Sequence, residues 1–240
     1  MSKKISLKSK YLGLSNKWPL SFQNYGQISL KFKNYFLNFF IFFSIIEKKL
    51  FLFQNLLFSN IELFVFNKFL KININLVYLR QLNLKHILKF LVYFEQLLLL
   101  NFSSLVLKTW VYFEKKNFLS NIFIKSYIDY LITTLNYFPK KIFNFLIPLL
   151  KTMLNKKKIS FSNHGIKITQ LKGIKIQLKG RYELTKNPMS KRISFKMGKI
   201  SSMNLNTKIE FLNKTIYTKL GKSSIKVWLF YFFEQNNNTI

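Results

Sequence analysis

The chain has 240 residues, enough for one large domain or two small ones, and a formal net charge of +31 from 39 Lys and Arg against 8 Asp and Glu. A compact chain that basic repels itself and requires a polyanionic partner, either nucleic acid or an anionic membrane surface. Cysteine is absent, which excludes disulfides, zinc ribbons and thiol catalysis together.

Alanine is also absent, arginine occurs only at Arg80, Arg181 and Arg192, and phenylalanine reaches 28. Residues with GC-rich codons are depleted and those with AT-rich codons enriched, as in the genome of an organelle, an endosymbiont or a parasite. A Phe-rich stretch therefore carries less structural meaning here than it would elsewhere.

Residues 1–34 are polar and basic, punctuated by Gly13, Pro19 and Gly26. The opening MSKKISLKSK lacks both the Arg enrichment of a transit peptide and the apolar core of a secretory signal; an organelle-encoded protein needs neither. Residues 35–58 read as an aromatic-rich helix containing Glu47-Lys48-Lys49. Its apolar run, Tyr35–Ile46, is about a dozen residues, short of the ~20 needed to span a bilayer. IELFVFNKF (61–69) and LKININLVYL (70–79) read as a β-hairpin, the second strand alternating Ile72, Ile74 and Leu76 against Asn73, Asn75 and Val77.

Residues 82–154 are apolar at helical spacing, with breaks expected at Pro139 and Pro148. The run Ile87–Leu107 is long enough to cross a membrane. Lys89 and Glu95 inside it each cost roughly 2.5–3.5 kcal/mol at mid-bilayer, so a buried helix is the better reading. No glycine occurs between Gly26 and Gly165, so no glycine-rich phosphate loop exists there. Beyond KKKISFSNHGIKITQ (156–170), strands are expected at 173–179, 191–198, 206–211 and 224–231, with a short helix at 212–220 and a disordered tail from 234.

The eight carboxylates are scattered, and His86 and His164 share no metal-ligand spacing, so nothing supports catalysis, a metal or a cofactor. The basic content of the C-terminal third has more order. Lys156-Lys157-Lys158 opens a stripe continued by Lys167, Lys172, Lys175 and Lys179, suited to neutralising phosphates in a salt-dependent, sequence-blind way. Strand alternation puts Lys175 and Lys179 on one face and Ile174, Ile176 and Leu178 on the other. In the last strand it puts Lys226 and Trp228 outward and Ile225 and Val227 inward. Trp228 then serves either as an edge-packing aromatic or as a stacking surface for a base.

These C-terminal residues resemble the small-subunit ribosomal protein S3 family in its organellar form. The likeness runs over roughly 60 residues, from Gly173-Ile174-Lys175 through Gly180-Arg181 and Arg192 to Gly198-Lys199-Ile200. It continues from Leu205 to Ile209-Glu210-Phe211 and closes on Gly221 and Ile225-Lys226-Val227-Trp228-Leu229-Phe230. Leu12-Gly13-Leu14 with Trp18 is similar to the family's opening segment, which lies against rRNA.

The resemblance implies an α+β protein: a divergent KH-like (type II) N-terminal region with a helical insertion, followed by a two-layer α/β C-terminal S3-type domain. The corresponding division is a basic extension over 1–34, a KH-like and helical region over 35–154, an S3-type domain over 155–233 and a tail over 234–240. It also implies rRNA binding in the head of a mitochondrial small subunit in the matrix, a plastid being the weaker alternative, beside proteins of the S10 and S14 families. The family's basic pair at the channel where mRNA enters, counted back without gaps from Lys172-Gly173 along an assumed helix, falls on Lys156 and Lys157.

The RNA-binding candidates are Lys156, Lys157, Lys158, Lys172, Lys175, Lys179, Arg181, Lys191, Arg192, Lys196, Lys199 and Lys226. Two departures stand out: the Gly-x-x-Gly loop with which KH domains clamp RNA has no glycine to form it, and Tyr182-Glu183-Leu184 replaces a small, Gly-rich stretch. The alternatives from other classes are an organellar membrane protein with basic soluble flanks and a free RNA-binding factor.

Overall fold

The computed structural model describes residues 20–22, 56–65, 69–78, 106–114, 120–162, 165–183, 189–201 and 207–233, together with helical residues at 88–89, 92–93 and 95–96. The basic N-terminal extension apart from 20–22, residues 35–55 of the helix expected over 35–58, both histidines and the tail from 234 lie outside the described residues. The chain divides into two compact units, Trp18–Tyr130 and Leu131–Ile240 with Met1–Lys17.

The Trp18–Tyr130 unit holds a four-stranded sheet of β1 (Leu20–Phe22), β2 (Leu56–Val65), β3 (Phe69–Tyr78) and β4 (Val106–Glu114), in that spatial order. β2 and β3 form the expected antiparallel hairpin, paired from Leu56 opposite Tyr78 to Val65 opposite Leu70 with a register shift between Phe58 and Asn60. Ile72, Ile74 and Leu76 are buried as the alternation requires, and Val77 is buried with them. β1 runs parallel to β2, and β4 parallel to β3. A parallel neighbour needs a crossover connection, and the chain supplies one over residues 79–105.

The presence of β4 corrects the helical reading of 82–154. VLKTWVYFE is dense in β-branched and aromatic residues that fit a pleated surface. The apolar spacing that suggested a helix also fits a half-buried edge strand. Residues 56–58, placed at the end of a helix by sequence, likewise begin β2.

Helix α1 (Asn121–Thr133) buries Ile124, Ile128 and Leu131 at i, i+4, i+7. Helix α2 (Pro139–Lys151) starts on Pro139, whose fixed φ suits a first helical position. It then runs through Pro148, where a break was expected. Pro148 lies in the last turn and is exposed, so the lost hydrogen bond falls where water replaces it. The next residues still gain from helix, because Leu150 is fully buried and Thr152 caps the end by donating to the Leu149 carbonyl at 2.8 Å.

The unit to which α2 belongs is built on a five-stranded antiparallel sheet of β5 (Lys157–Ser162), β6 (Gly165–Gly180), β7 (Lys191–Gly198), β8 (Thr207–Thr218) and β9 (Gly221–Phe233). The long strand β6 is its axis. β5 and β7 share one edge of it, end to end, while β9 and then β8 follow on the other. α2 packs on β6 and β9. Its buried residues Ile142, Phe143, Leu146 and Leu150 meet a sheet face that buries Ile174, Ile176, Leu178, Ile225, Val227 and Leu229. This helix-on-sheet core has two layers, but its helix comes from residues 139–151, ahead of the expected domain start at 155.

β8 corrects a second expectation. The segment 212–220, expected to be helical, continues the strand to Thr218 and turns at Lys219-Leu220 into β9. Thr215, Ile216, Tyr217 and Thr218 favour a strand, and each pairs across the hairpin with β9, from Thr215 opposite Ser224 to Thr218 opposite Gly221.

One close approach shapes the middle of the sheet. The β6–β9 register shifts between Leu171 and Gly173, so Lys172 bulges out, and its carbonyl accepts the Lys199 N–H at 2.8 Å. Gly173 and Gly198 face each other there; a Cβ on the first would lie 2.0 Å from the Lys199 oxygen, and one on the second 2.1 Å from the Lys172 oxygen. Only glycine fits at either position.

Candidate nucleic-acid interface

Strand pairing converts the scattered basic residues into a pattern. Directly paired residues share a face, so the register sorts side chains onto the helix side or the opposite, open side of the C-terminal sheet. On the open side, one row across the strands reads Lys196, Lys175, Trp228, Phe211. The next reads Ser194, Gln177, Lys226, Asn213, and the third Arg192, Lys179, Ser224, Thr215. Lys157 lies on the same side through its pairing with Gln170, itself opposite Phe232.

No carboxylate stands at any paired position of this face among the described residues. Instead, Lys175 is directly opposite Lys196, and Lys179 is directly opposite Arg192. Like charges at such positions destabilise a sheet.

The carboxylates are on the helix side, and they hold the cations there. Glu210 pairs with Lys158 at 3.6 Å; both side chains are largely covered. Glu183 accepts a hydrogen bond from Lys191 and lies 3.6 Å from Lys140 of α2. The Lys191 hydrogen bond holds the Glu183 carboxyl below its ordinary range and raises the Lys191 ammonium, with Lys191 exposed and Glu183 partly covered. Glu183 sits in the Tyr182-Glu183-Leu184 replacement, which thereby ties the start of β7 to the start of α2. Tyr231, buried on the same side with the Lys158 ammonium 5.7 Å from its ring, has its phenol pushed well above its ordinary value by burial, with Glu210 adding to it.

Aromatic rings line β9 on the open side and carry cations. The Lys175 ammonium lies 4.9 Å from the Trp228 ring, and those of Lys172 and Lys199 lie 5.8 and 5.4 Å from Phe232. Phe211 packs against Trp228 at 5.1 Å, so a neighbouring ring and a neighbouring ammonium flank Trp228, as an edge-packing aromatic requires. Lysine stems lying over rings keep their heads at the surface.

The twelve candidates thus divide. Lys157, Lys175, Lys179, Arg192, Lys196 and Lys226 converge on the open face. Lys156, Lys172, Arg181 and Lys199 are exposed at its turns and bulge. Lys158 and Lys191 are in ion pairs on the helix side.

Lys156 and Lys157 are not carried on a helix. After α2, Asn155 adopts a left-handed conformation at φ 64 and donates its N–H to the Leu171 carbonyl at 2.8 Å. That turn delivers Lys156 to the sheet edge and Lys157 into β5. Sequence reasoning missed Lys222 and Tyr217, the latter 75% exposed with the Lys222 ammonium 5.7 Å from its ring. The expected helix at 212–220 hid Tyr217, and Lys222 fell between it and the expected last strand, whereas the strand-favouring run Thr215–Thr218 ahead of Gly221 was the available signal for a hairpin.

Among the described residues no group of His, Asp and Glu is placed to hold a metal ion, and no helix is long and apolar enough to cross a membrane. No family model matches the chain. Its sequence is similar to the small ribosomal subunit protein uS3m of Chondrus crispus, with 32% identity over 250 aligned residues that cover 96% of this chain and 94% of that protein. With that likeness spanning nearly all of both proteins, the chain belongs to the uS3m family of mitochondrial small-subunit ribosomal proteins.

Proposed function

We propose that this chain is a structural, non-catalytic constituent of the mitochondrial small ribosomal subunit. It binds rRNA in the head through the part of the open face carried by β6, β7 and β9, and Lys156 and Lys157, at the β5 edge of that sheet, line the channel where mRNA enters. The observation that carries the rRNA reading is the opposition of cations, Lys175 with Lys196 and Lys179 with Arg192, on a face with no carboxylate at a paired position among the described residues. Such a face costs stability in the free chain and becomes favourable once phosphates displace counterions onto it. The contacts are electrostatic and positional, and no chemistry is performed on the RNA.

The N-terminal sheet supports a KH-like scaffold: a hairpin, then a crossover to a parallel strand. Its Gly-x-x-Gly clamp is missing, which shifts RNA binding toward the C-terminal unit. Proteins of the S10 and S14 families are the expected neighbours.

The test is sedimentation of mitochondrial lysate through gradients with and without magnesium. The chain is expected to travel with the small subunit and its rRNA, and to shift when magnesium removal disassembles the particle. A chain that stays at the top of both gradients refutes the ribosomal reading. For the channel, Lys156→Glu with Lys157→Glu is expected to impair translation of structured messages while leaving the yield of assembled subunits near normal. An equal loss of assembled subunits overturns that placement.

A further inference from the structure

We infer that the exposed face of the N-terminal sheet is a second RNA surface, one that stacks unpaired bases on Trp110 and Tyr112. The inference rests on the reading of the chain as an RNA-bound protein. It assigns a site distinct from the C-terminal face and from the missing glycine clamp.

β4 is the edge strand of its sheet, and its residues alternate. Thr109 and Val111 are half-buried, whereas Lys108 is exposed and Trp110 and Tyr112 are 52% and 50% exposed. Large aromatic rings left half in water at two successive outward positions lose burial that a folded chain would otherwise gain. The strand rise separates them by about 7 Å. At that separation each ring can carry one base, or one base can enter between them.

The neighbouring strand supplies the rest of a single-strand site. Lys71 is the register partner of Lys108, giving this sheet an opposed pair of lysines of its own. The Lys71 ammonium lies 5.9 Å from the Trp110 ring, so a cation stands beside the stacking surface, where the phosphate of a stacked nucleotide would run. Asn75 is the register partner of Tyr112. Its amide both donates and accepts, as the edge of an unpaired base requires.

Rings for bases beside cations for phosphates make up the sequence-tolerant platform of single-strand RNA binders. A protein partner would also value the exposed rings. Lys71 and Lys108 stand directly opposite each other, and RNA brings negative charge to such a pair with every nucleotide.

The test uses the purified full-length chain and a 4-thiouridine-substituted oligouridine of about 12 nucleotides, within the usual size of a single-strand site. Photocrosslinks are expected on Trp110 or Tyr112, in addition to any on the C-terminal face. Trp110→Ala with Tyr112→Ala is expected to abolish them and to weaken the oligouridine affinity of a Lys175→Glu, Lys226→Glu background roughly tenfold. Phe at both positions retains affinity within about twofold, because the stacking surface remains. Lys71→Gln with Lys108→Gln instead lowers the slope of log K against log salt by about 1.4, two single-strand phosphate contacts at ~0.7 each.

Crosslinks confined to residues 156–233 overturn the inference. So do an unchanged affinity in the alanine variant and the loss of a neighbouring ribosomal protein, with RNA affinity intact, when that variant is assembled into subunits. None of these results bears on whether the chain sediments with the small subunit, so this inference and the ribosomal reading can fail separately.

Discussion

Gly198→Ala tests whether the bulge at Lys172 is the reason for the glycines of the central sheet. The residue has φ 76, and an added Cβ would stand 2.1 Å from the Lys172 oxygen, where ordinary contact begins at 3.4 Å. The left-handed backbone costs alanine roughly 1–2 kcal/mol. Relieving the overlap costs about 1–3 kcal/mol, and pushing the strands apart breaks the Lys199-to-Lys172 hydrogen bond, worth about 1 kcal/mol.

The expected loss is therefore about 3–6 kcal/mol, a large part of the ~5–15 kcal/mol that holds a domain together. Gly173→Ala meets the same kind of overlap, 2.0 Å from the Lys199 oxygen, without a positive φ. It should lose about 2–4 kcal/mol. Urea unfolding followed by the fluorescence of Trp228, with Trp18 and Trp110 replaced by Phe, reads the C-terminal unit directly. If both variants unfold within about 0.5 kcal/mol of their parent, the range of an uninvolved surface change, the close approach does not explain the glycines.

Leu146→Ala in α2 removes a fully buried side chain from the helix-on-sheet core and should cost about 2–5 kcal/mol in the same unfolding assay. Lys175→Glu with Lys226→Glu should lower the salt dependence of binding to an rRNA fragment by about 1.8, two contacts at ~0.9 each on duplex. Lys158→Gln should leave that slope unchanged, because Lys158 is held by Glu210; an equal effect of the two would show that the faces have been wrongly separated. Burial raises the Tyr231 phenol above its ordinary 10.0, so the folded chain keeps a proton that the unfolded chain releases. Its stabilising contribution is full below pH 10 and is lost as pH rises through the folded value. Tyr231→Phe should flatten the fall in Tm above about pH 10, and an unchanged alkaline limb would refute this linkage.

Much of the C-terminal unit was legible because its signals are local. Period-two alternation places Ile174, Ile176 and Leu178 against Lys175 and Lys179, and Ile225 and Val227 against Lys226 and Trp228. Burial follows both patterns: Ile176, Leu178, Ile225 and Val227 are wholly enclosed. β7 spans the expected 191–198. Expectations failed where apolar residues were so dense that helical and strand periods both fitted, as at 106–114 and 212–218. In those segments pairing with β3 and β9 decides the outcome, and no window of the segment itself contains its partner.

The sequence by itself determined the need for a polyanion, the alternation that separates cations from core, and the glycine and basic spacing of the S3 family. Those properties lie in composition and in neighbours along the chain. Only the tertiary structure decided which cations act together. Lys175 meets Lys196, and Lys179 meets Arg192, because β6 and β7 pair in one particular register; Lys158 and Lys191 leave the set because Glu210 and Glu183 lie within reach on the helix side. Cross-strand partners are many residues apart in the chain, so their meeting is a property of the packed sheet.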